Sequence, residues 1–276
     1  MTKSIQLFLL MTIFQPLAFA QMKIKGTIVD KKTQLPVEYA NIGIFEKGIG
    51  TVSNTNGNFE FIIPVQFKNK PITIKHLGYK DATVNLNDIN ANPTSIKIEL
   101  ETSISELKEV KITALRVASI GYKPNGEQAK GFFKAAGLGL EGGTQINNKG
   151  QILLTQFNLN ILKIPFDSLK FRLNIYAIKN GKPNEKINTK DIVFTVTKSD
   201  TGFFSLPLQS ENIQVTNNFI CSIELIELFG QNAENAEFLF SAIPNKEGFI
   251  FKKTISMGKW EKIKNYSLCF WLNGKK

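Results

Sequence analysis

The sequence predicts an all-β protein in which a small β-sandwich is followed by a larger, jelly-roll-like β-sandwich. Short runs with alternating apolar and polar residues recur along the chain, which is the pattern of half-buried strands. Turn signals rich in Gly, Asn and Pro separate these runs at regular intervals. Residues 22–100 show no helical periodicity.

The first sandwich is predicted from a series of short strands between residues 22 and 100. In its last run, Ile96, Ile98 and Leu100 alternate with charged residues, so one face of that strand is expected to be buried. Asn56-Gly57 lies between two further runs and is a strong signal for a β-hairpin. These features predict a small antiparallel sandwich.

The second sandwich is predicted from eight apolar runs that follow the turn-rich stretch GYKPNGEQ. Their spacing is typical of a jelly roll or a similar sandwich. We therefore divide the chain into a first sandwich (21–101), a linker or edge strand (102–130) and a second sandwich (131–276). The segment 1–20 precedes these units.

Segment 1–20 has the features of a secretory signal peptide. Lys3 is followed by the apolar run IQLFLLMTIFQPLAFA, and small residues at Ala18 and Ala20 form an A-x-A cleavage site before Gln21. Elsewhere, no run reaches the roughly 18 apolar residues that a spanning helix needs. We expect an exported protein, in the periplasm or associated with the outer membrane or cell surface, with no transmembrane segment in its mature form.

The composition is that of a folded protein with a lysine-rich surface. The chain is 42% hydrophobic and 21% charged, and its formal net charge is +11. Arg116 and Arg172 are the only arginines, whereas nucleic-acid sites usually rely on arginine for bidentate contacts. No basic cluster is interleaved with aromatic residues, so we expect no nucleic-acid partner.

Four phrases of the first sandwich carry a family resemblance. They are Gly26-x-Ile28-x-Asp30, the stretch PVEYANI from Pro36, the stretch GTVSNTNGNF from Gly50, and HLGYK from His76. They resemble the carboxypeptidase-regulatory-like domain of exported Bacteroidetes proteins. The resemblance implies a transthyretin (prealbumin)-like sandwich without catalytic residues. The second region resembles an uncharacterised domain that often follows this module.

The stretch ELKEVKITALR, residues 106–116, resembles the connector that follows this module in TonB-dependent receptors. A receptor barrel needs about 9–11 residues for each membrane strand and a continuous lipid-facing apolar band. The predicted strands after Arg116 carry Lys and Glu on their outward face instead. We therefore interpret this stretch as the last edge strand of the first sandwich or as a linker.

The residues that usually carry hydrolytic chemistry are sparse. His76 is the only histidine and belongs to the first domain, so neither a nucleophile–histidine site nor a zinc site is expected. Glu224 and Glu227 are three apart on a predicted strand, and Glu234 and Glu237 lie in a polar loop. Residues three apart on a regular strand face opposite sides, so the first pair is not expected to converge. We predict no catalytic residue, no metal and no cofactor.

Aromatic residues provide the candidates for ligand binding. Trp260 is flanked by lysines and is expected to be exposed, while Tyr122 and Tyr176 are further candidates. Trp271 lies in an apolar strand and is interpreted as a core residue. Flat aromatic rings of this kind stack on sugars in jelly-roll modules, so a sugar site would be expected to use Trp260.

Cys221 and Cys269 lie in apolar strand-like runs of the second region. Export permits a disulfide between them. Two buried free thiols fit the same pattern, and the sequence leaves both alternatives open.

These observations predict a non-catalytic exported envelope protein with a binding or assembly role. Its partner is expected to be an envelope protein. A carbohydrate-binding module that captures a glycan, and an accessory to a TonB-dependent uptake system, remain as alternatives.

Overall fold

A computed structural model describes residues 21–85, 95–103, 116–125, 129–134, 137–230 and 236–276. The predicted signal peptide (1–20), residues 106–115 of the stretch ELKEVKITALR, and Glu234 lie outside these ranges. The described residues form strands, turns and short 3-10 turns, with no α-helix among them. Within the same ranges, no helix has the length and hydrophobicity to cross a membrane. The prediction of an all-β, sandwich-like fold is confirmed.

The first domain packs two small sheets against each other. One sheet has the order β4-β1-β7 and the other has the order β3-β2-β5-β6. The strands are β1 (Gln21–Asp30), β2 (Asn41–Ile44), β3 (Ile49–Val52), β4 (Asn58–Pro64), β5 (Ile72–Lys75), β6 (Ala82–Val84) and β7 (Ile96–Leu100). Isoleucine and phenylalanine side chains from both sheets form the core between them. In β7 the predicted alternation is present, with Ile96, Ile98 and Leu100 buried.

The Asn56-Gly57 turn is present, but the predicted hairpin around it is wrong. Gly57 has a φ of 71°, and the Asn54 side chain accepts hydrogen bonds from the Asn56 and Asn58 amides at 3.0 Å each. The turn joins β3 to β4, which belong to different sheets. β4 pairs with β1 over seven residues instead, because a local turn signal does not determine which strand offers the better partner.

The second domain is a larger sandwich in which 13 strands form one hydrogen-bonded assembly. The main order is β13-β12-β17-β10-β18-β11-β20-β8. The strands are β8 (Val117–Gly121), β9 (Ala129–Lys134), β10 (Glu141–Ile146), β11 (Ile152–Lys163), β12 (Ser168–Lys179), β13 (Lys182–Lys186), β14 (Ile192–Thr197), β15 (Gly202–Pro207), β16 (Gln214–Val215), β17 (Phe219–Phe229), β18 (Glu237–Lys253), β19 (Glu261–Leu268) and β20 (Phe270–Lys275).

The long strand β18 connects the two layers of this sandwich. Its first residues pair with β9 and β11, and its last residues pair with β10. A phenylalanine-rich core lies between the layers and includes Phe157, Phe171, Phe238 and Phe270. The core positions alternate with outward-facing positions along each strand. Two outer faces therefore remain, one on each layer.

The large sheet extends further toward the N-terminus than the sequence predicted. β8 pairs with β20 at the edge of this sheet, and β9 pairs with β18. β8 lies within the segment 102–130 that we interpreted as a linker or edge strand, and β9 begins at the end of that segment, at Ala129. Thr102 instead belongs to the first domain, where it forms a bridge with Tyr79.

Candidate functional site

The outer face of β12 and β17 is charged and faces the first domain. Lys170, Arg172, Asn174 and Tyr176 occupy every second position of β12, and the positions between them belong to the apolar core. Arg172 is fully buried although it lies on the outer face of the sheet. A guanidinium is rarely buried unless it is paired, so another part of the protein must cover and neutralise it.

A bulge in β17 brings Glu224 and Glu227 to the same face. Glu227 lies opposite Lys170 and Leu225 lies opposite Phe171, so Ile226 is the extra residue. The expectation that the two carboxylates diverge assumed a regular strand and is therefore wrong. An extra residue shifts the alternation by one position. Glu224 contacts Arg172 with Oε2 3.5 Å from Nε, and Glu227 contacts Lys170 with Oε2 2.7 Å from Nζ.

Tyr39 of the first domain binds this charged face directly. Its hydroxyl donates to Glu227 Oε2 at 3.0 Å and accepts from Lys170 Nζ at 2.6 Å. Its carbonyl oxygen accepts a hydrogen bond from Arg172 Nη2 at 2.5 Å. The Tyr39 ring packs with Val52 and with Ile226, the bulged residue of the second domain. The two domains are therefore joined by apolar as well as polar contacts.

Gly50 marks the closest approach of the two backbones. A Cβ atom at this position would lie 2.5 Å from the carbonyl oxygen of Ser256 in the second domain and 2.5 Å from that of Ile42. Ser256 also donates its hydroxyl to Asn41 Oδ1 at 2.7 Å. Gly50 is therefore needed for space, whereas Gly57 of the same sequence motif is needed for its positive φ.

His76 and Asp191 form a second link between the domains. His76 Nε2 lies 3.3 Å from Asp191 Oδ2, and the same oxygen lies 3.2 Å from Arg172 Nη1. His76 Nδ1 is 2.7 Å from the carbonyl oxygen of Leu77. Burial opposes ionisation of Asp191, but the hydrogen bond from His76 and the charge of Arg172 hold its pKa far below the usual range.

Glu141 is the third buried carboxylate of this face. It is fully buried on β10, where Lys253 Nζ lies 2.8 Å from Oε2 and Ser222 donates to Oε1 at 2.5 Å. Asn174 also donates to Oε1, at 2.8 Å. Burial disfavours the charged form, yet Lys253 and these hydrogen bonds keep the pKa of Glu141 below its usual value.

Between the domains, a cleft of about 660 Å³ opens beside this network. The first domain contributes the loop around His76 and Tyr79, and the second domain contributes Arg172, Tyr176, residues 184–186 and residues 188–189. Lys186 also lines the cleft, and its side-chain amine makes no hydrogen bond or ion pair with another described residue. Burial, followed by repulsion from Arg172, lowers its pKa. The cleft therefore has a fixed charged wall and one unpaired amine.

Several buried polar atoms around the cleft form no hydrogen bond within the described part of the chain. They are Asn174 Oδ1, Asp191 Oδ1 and Glu224 Oε1, together with Arg172 Nε and Nη1, whose contacts with Glu224 and Asp191 are ion pairs only. Each of the three oxygens costs about 1–3 kcal/mol relative to a hydrogen-bonded one. Unsatisfied groups and shifted pKa values concentrate at functional sites, which makes this cleft the candidate site.

Most pKa shifts around the cleft move away from neutral pH. A catalytic acid or base needs a pKa near the working pH. The pKa values of Asp191 and Glu141 are instead lowered, and that of Lys253 is raised by Glu141 despite burial. Burial and Glu141 raise the pKa of Tyr176 well above its usual value. Of these shifts, only that of Lys186 moves toward neutral pH.

Two of the three residues predicted for ligand binding contact each other, and one of them lines the cleft. Tyr176 lines it and meets Trp260 edge-to-face, with ring centroids 5.9 Å apart. Trp260 is half-buried rather than exposed, and Lys253 Nζ lies 5.1 Å from its ring centroid. Tyr122 is distant from this pair in the fold. It is half-buried and packs against the core of the second domain.

Trp271 does not lie in the core. Trp271 is only half-buried and lies on the outer face of β20 beside Phe203, so its interpretation as a core residue is wrong. Its neighbours Phe270 and Leu272 fill the core instead.

Cys221 and Cys269 are both buried and both free, so the disulfide alternative is not realised. Among the described residues, no group of three His, Cys, Asp or Glu side chains could hold a metal ion.

Sequence reasoning did not identify Arg172, Asp191, Glu141 or Lys186 as site residues. A signal for Arg172 was present, because it is one of two arginines and lies at a polar position of an alternating strand. Asp191, Glu141 and Lys186 come together only when four strands pair and the first domain packs against them. No short sequence motif contains that information.

Comparison with known proteins identifies the first domain. Residues 24–112 match the family model of the CarboxypepD_reg-like domain, so this part of the chain is such a domain, with a transthyretin-like sandwich. The predicted resemblance is confirmed for these residues. No curated protein matches the chain.

Similarity to solved structures is weak. The cysteine protease and lectin-like domains of Cwp84, a surface layer associated protein of Clostridium difficile, align with 56% of this chain and 37% of their own, at 11% identity and a TM-score of 0.36. The structure of the infectious bursal disease virus Gx strain aligns with 95% of this chain and 58% of its own, at 10% identity and a TM-score of 0.29. The chain thus spans only part of either structure, and these scores define neither its fold nor its function.

Proposed function

We propose that this protein is a non-catalytic, exported envelope protein that binds a partner protein in the cleft between its two domains. The observation that carries the proposal is the cleft itself, which both domains line and whose charged wall is held by contacts between them. The signal-like segment 1–20 supports export. We include in the proposal the jelly-roll type of the second sandwich and a Bacteroidetes-type envelope, because the sequence resembles such proteins.

The edge strand β13 supports a protein partner. β13 ends the main strand order of the large sheet, and Asn184 and Lys186 on this strand line the cleft. An edge strand offers unpaired backbone donors and acceptors to an extended segment of another protein. Lys186 lies beside that edge and has no partner among the described residues. A bound segment with an acidic side chain would provide one.

The absence of catalysis is supported by the direction of the pKa shifts. Asp191 and Glu141 are held as carboxylates, which suits a rigid wall better than proton transfer. Lys186 alone has a pKa shifted toward neutrality, and one amine does not form an acid–base pair. Purified mature protein should show no turnover in a screen of hydrolase substrates. Robust turnover that is lost on mutating Glu141 or Glu224 would refute this part.

A carbohydrate site at Trp260 has less support. A sugar-binding platform needs one free ring face. Here the indole of Trp260 contacts both Lys253 and the edge of Tyr176. Trp260 also does not line the cleft.

Site-specific photocrosslinking in the native envelope tests the proposed function. A photoreactive amino acid replaces Asn184 at the cleft, and a matched control replaces Lys70, an exposed turn residue outside the cleft lining. We expect an envelope protein to be crosslinked from position 184 and not from position 70. Lys186→Glu should reduce that adduct. Equal crosslinking from both positions, or none from position 184, would contradict a partner site in the cleft.

A further inference from the structure

A second face of the protein, on the opposite layer of the large sandwich, carries no assigned role. It is formed by the outward positions of β15, β11, β20 and β8, and we call it the amide face. Asn158 of β11 lies between Ser205 of β15 and Trp271 of β20 in the strand register. Phe203 lies opposite the next outward position, Asn160. The residues between these positions fill the core of the sandwich.

Two aromatic rings project from this face. Phe203 is 75% exposed, and Trp271 is half-buried beside it. Their ring centroids are 5.8 Å apart and their planes meet at 84°. Burying a phenylalanine side chain stabilises a protein by about 1.5–3 kcal/mol. Phe203 contributes little of this stabilisation because it is so exposed. Phe203 therefore remains largely uncovered by the described part of the chain.

The polar groups around the rings are uncharged and held in place. Ser205 donates to Asn158 Oδ1 at 2.7 Å, and Asn158 Nδ2 donates to the Trp271 carbonyl oxygen at 3.1 Å. Asn273 Nδ2 donates to Gln156 Oε1 at 2.7 Å. These bonds orient the amides and leave Gln156 Nε2 and Asn273 Oδ1 without a described partner. A donor and an acceptor therefore lie side by side on neighbouring strands.

Charge is nearly absent from the strands that build this face. β8 and β15 contain no charged residue, and β11 and β20 contain one each at their ends, Lys163 and Lys275. The chain as a whole is 21% charged with a net charge of +11. An anionic ligand would be drawn to other parts of the surface. The amide face therefore suits a neutral ligand that offers many hydrogen-bonding groups.

We propose that the amide face binds a neutral oligosaccharide, with the sugar rings against Phe203 and Trp271 and the hydroxyl groups on the amides of Gln156 and Asn273. Sugars combine apolar ring faces with neighbouring hydroxyls that donate and accept together, which matches this arrangement of rings and amides. Four strands spaced about 4.8 Å apart give a width of about 14 Å, enough for several sugar units. A second protein copy would need about 800 Å² of complementary surface per partner, whereas only two rings project here.

This site is separate from the cleft, so a result that refutes one of the two proposals does not affect the other. The test is isothermal titration of the mature protein with neutral hexasaccharides of glucose, mannose and xylose, and with an acidic hexasaccharide as the charged comparison. We expect one or more neutral hexasaccharides to bind and the acidic one to bind at least about tenfold more weakly. Phe203→Ala should weaken binding about tenfold or more. Phe45→Ala, which truncates a phenylalanine of the first domain that is 56% exposed and lies away from the amide face, should leave binding unchanged.

Phe203 is exposed, so its truncation leaves the core intact, and circular dichroism will verify the fold of each variant. Gln156→Ala provides a second variant that removes a polar contact and should also weaken binding. The proposal is overturned if no neutral hexasaccharide binds, or if Phe203→Ala and Gln156→Ala bind as well as the wild type. It is also overturned if Phe203→Ala abolishes self-association instead, because the occupant is then a second copy of the chain.

Discussion

Replacing Arg172 with methionine perturbs the centre of the interface between the domains. Arg172 is fully buried, pairs with Asp191 and Glu224, and donates to the Tyr39 carbonyl oxygen. The variant keeps much of the side-chain volume and leaves Glu224, which is 1% exposed, without its cation. Removing one partner of a buried ion pair costs about 3–5 kcal/mol, and we expect the free energy of unfolding to fall by that amount.

Equilibrium urea unfolding followed by circular dichroism measures this loss. Lys170→Met is the matched control, since its partner Glu227 is 19% exposed and the expected loss is about 1 kcal/mol. The double variant Arg172→Met/Glu224→Met removes the stranded carboxylate and should recover at least about 2 kcal/mol, because apolar replacement of a whole buried pair is often neutral. A loss below about 1 kcal/mol in Arg172→Met, or no recovery in the double variant, would refute the reasoning.

Three further outcomes are expected. Gly50→Ala should lower the melting temperature more than Gly137→Ala, because a Cβ at position 50 meets two carbonyl oxygens at 2.5 Å whereas the nearest atom at position 137 is a side-chain carbon at 3.4 Å; equal shifts would contradict the close approach. Cys221 and Cys269 should resist a thiol reagent at pH 8 and react fully in denaturant, since burial raises both pKa values, that of Cys269 to about 12; a reducible bridge would contradict this. Asp191 has a lowered pKa, so its stabilising effect is present above about pH 4 and is lost as the pH falls further. Between pH 6 and pH 2, the melting temperature of the wild type should therefore fall more steeply than that of Asp191→Asn.

The alternation of apolar and polar residues predicted the fold class because strand burial repeats with period two. Ile96, Ile98 and Leu100 show this relation directly. The pattern did not predict which strands pair, so the Asn56-Gly57 turn suggested a hairpin that is absent. The same limit applies to Trp271, because an apolar strand has two faces and the sequence does not identify the covered one.

The candidate site was predicted only in part: of the aromatic residues chosen for their chemistry, Tyr176 lines the cleft, and Trp260 contacts Tyr176 from outside the lining. Its charged wall depends on a bulge at Ile226 that reverses the expected direction of Glu227. It also depends on His76 reaching Asp191 across the domain boundary, 115 positions away in the sequence. Such contacts arise from tertiary structure, and local patterns do not encode them.

A double-mutant cycle between His76 and Asp191 tests most directly whether the two domains form one unit around the cleft. The wild type, His76→Ala, Asp191→Asn and the double variant are compared by their free energies of unfolding at pH 6. The two side chains lie 3.3 Å apart and are 15% and 17% exposed, so we expect a favourable coupling of about 0.5–3 kcal/mol. Additive effects, with a coupling of zero, would contradict the docked arrangement on which the cleft depends.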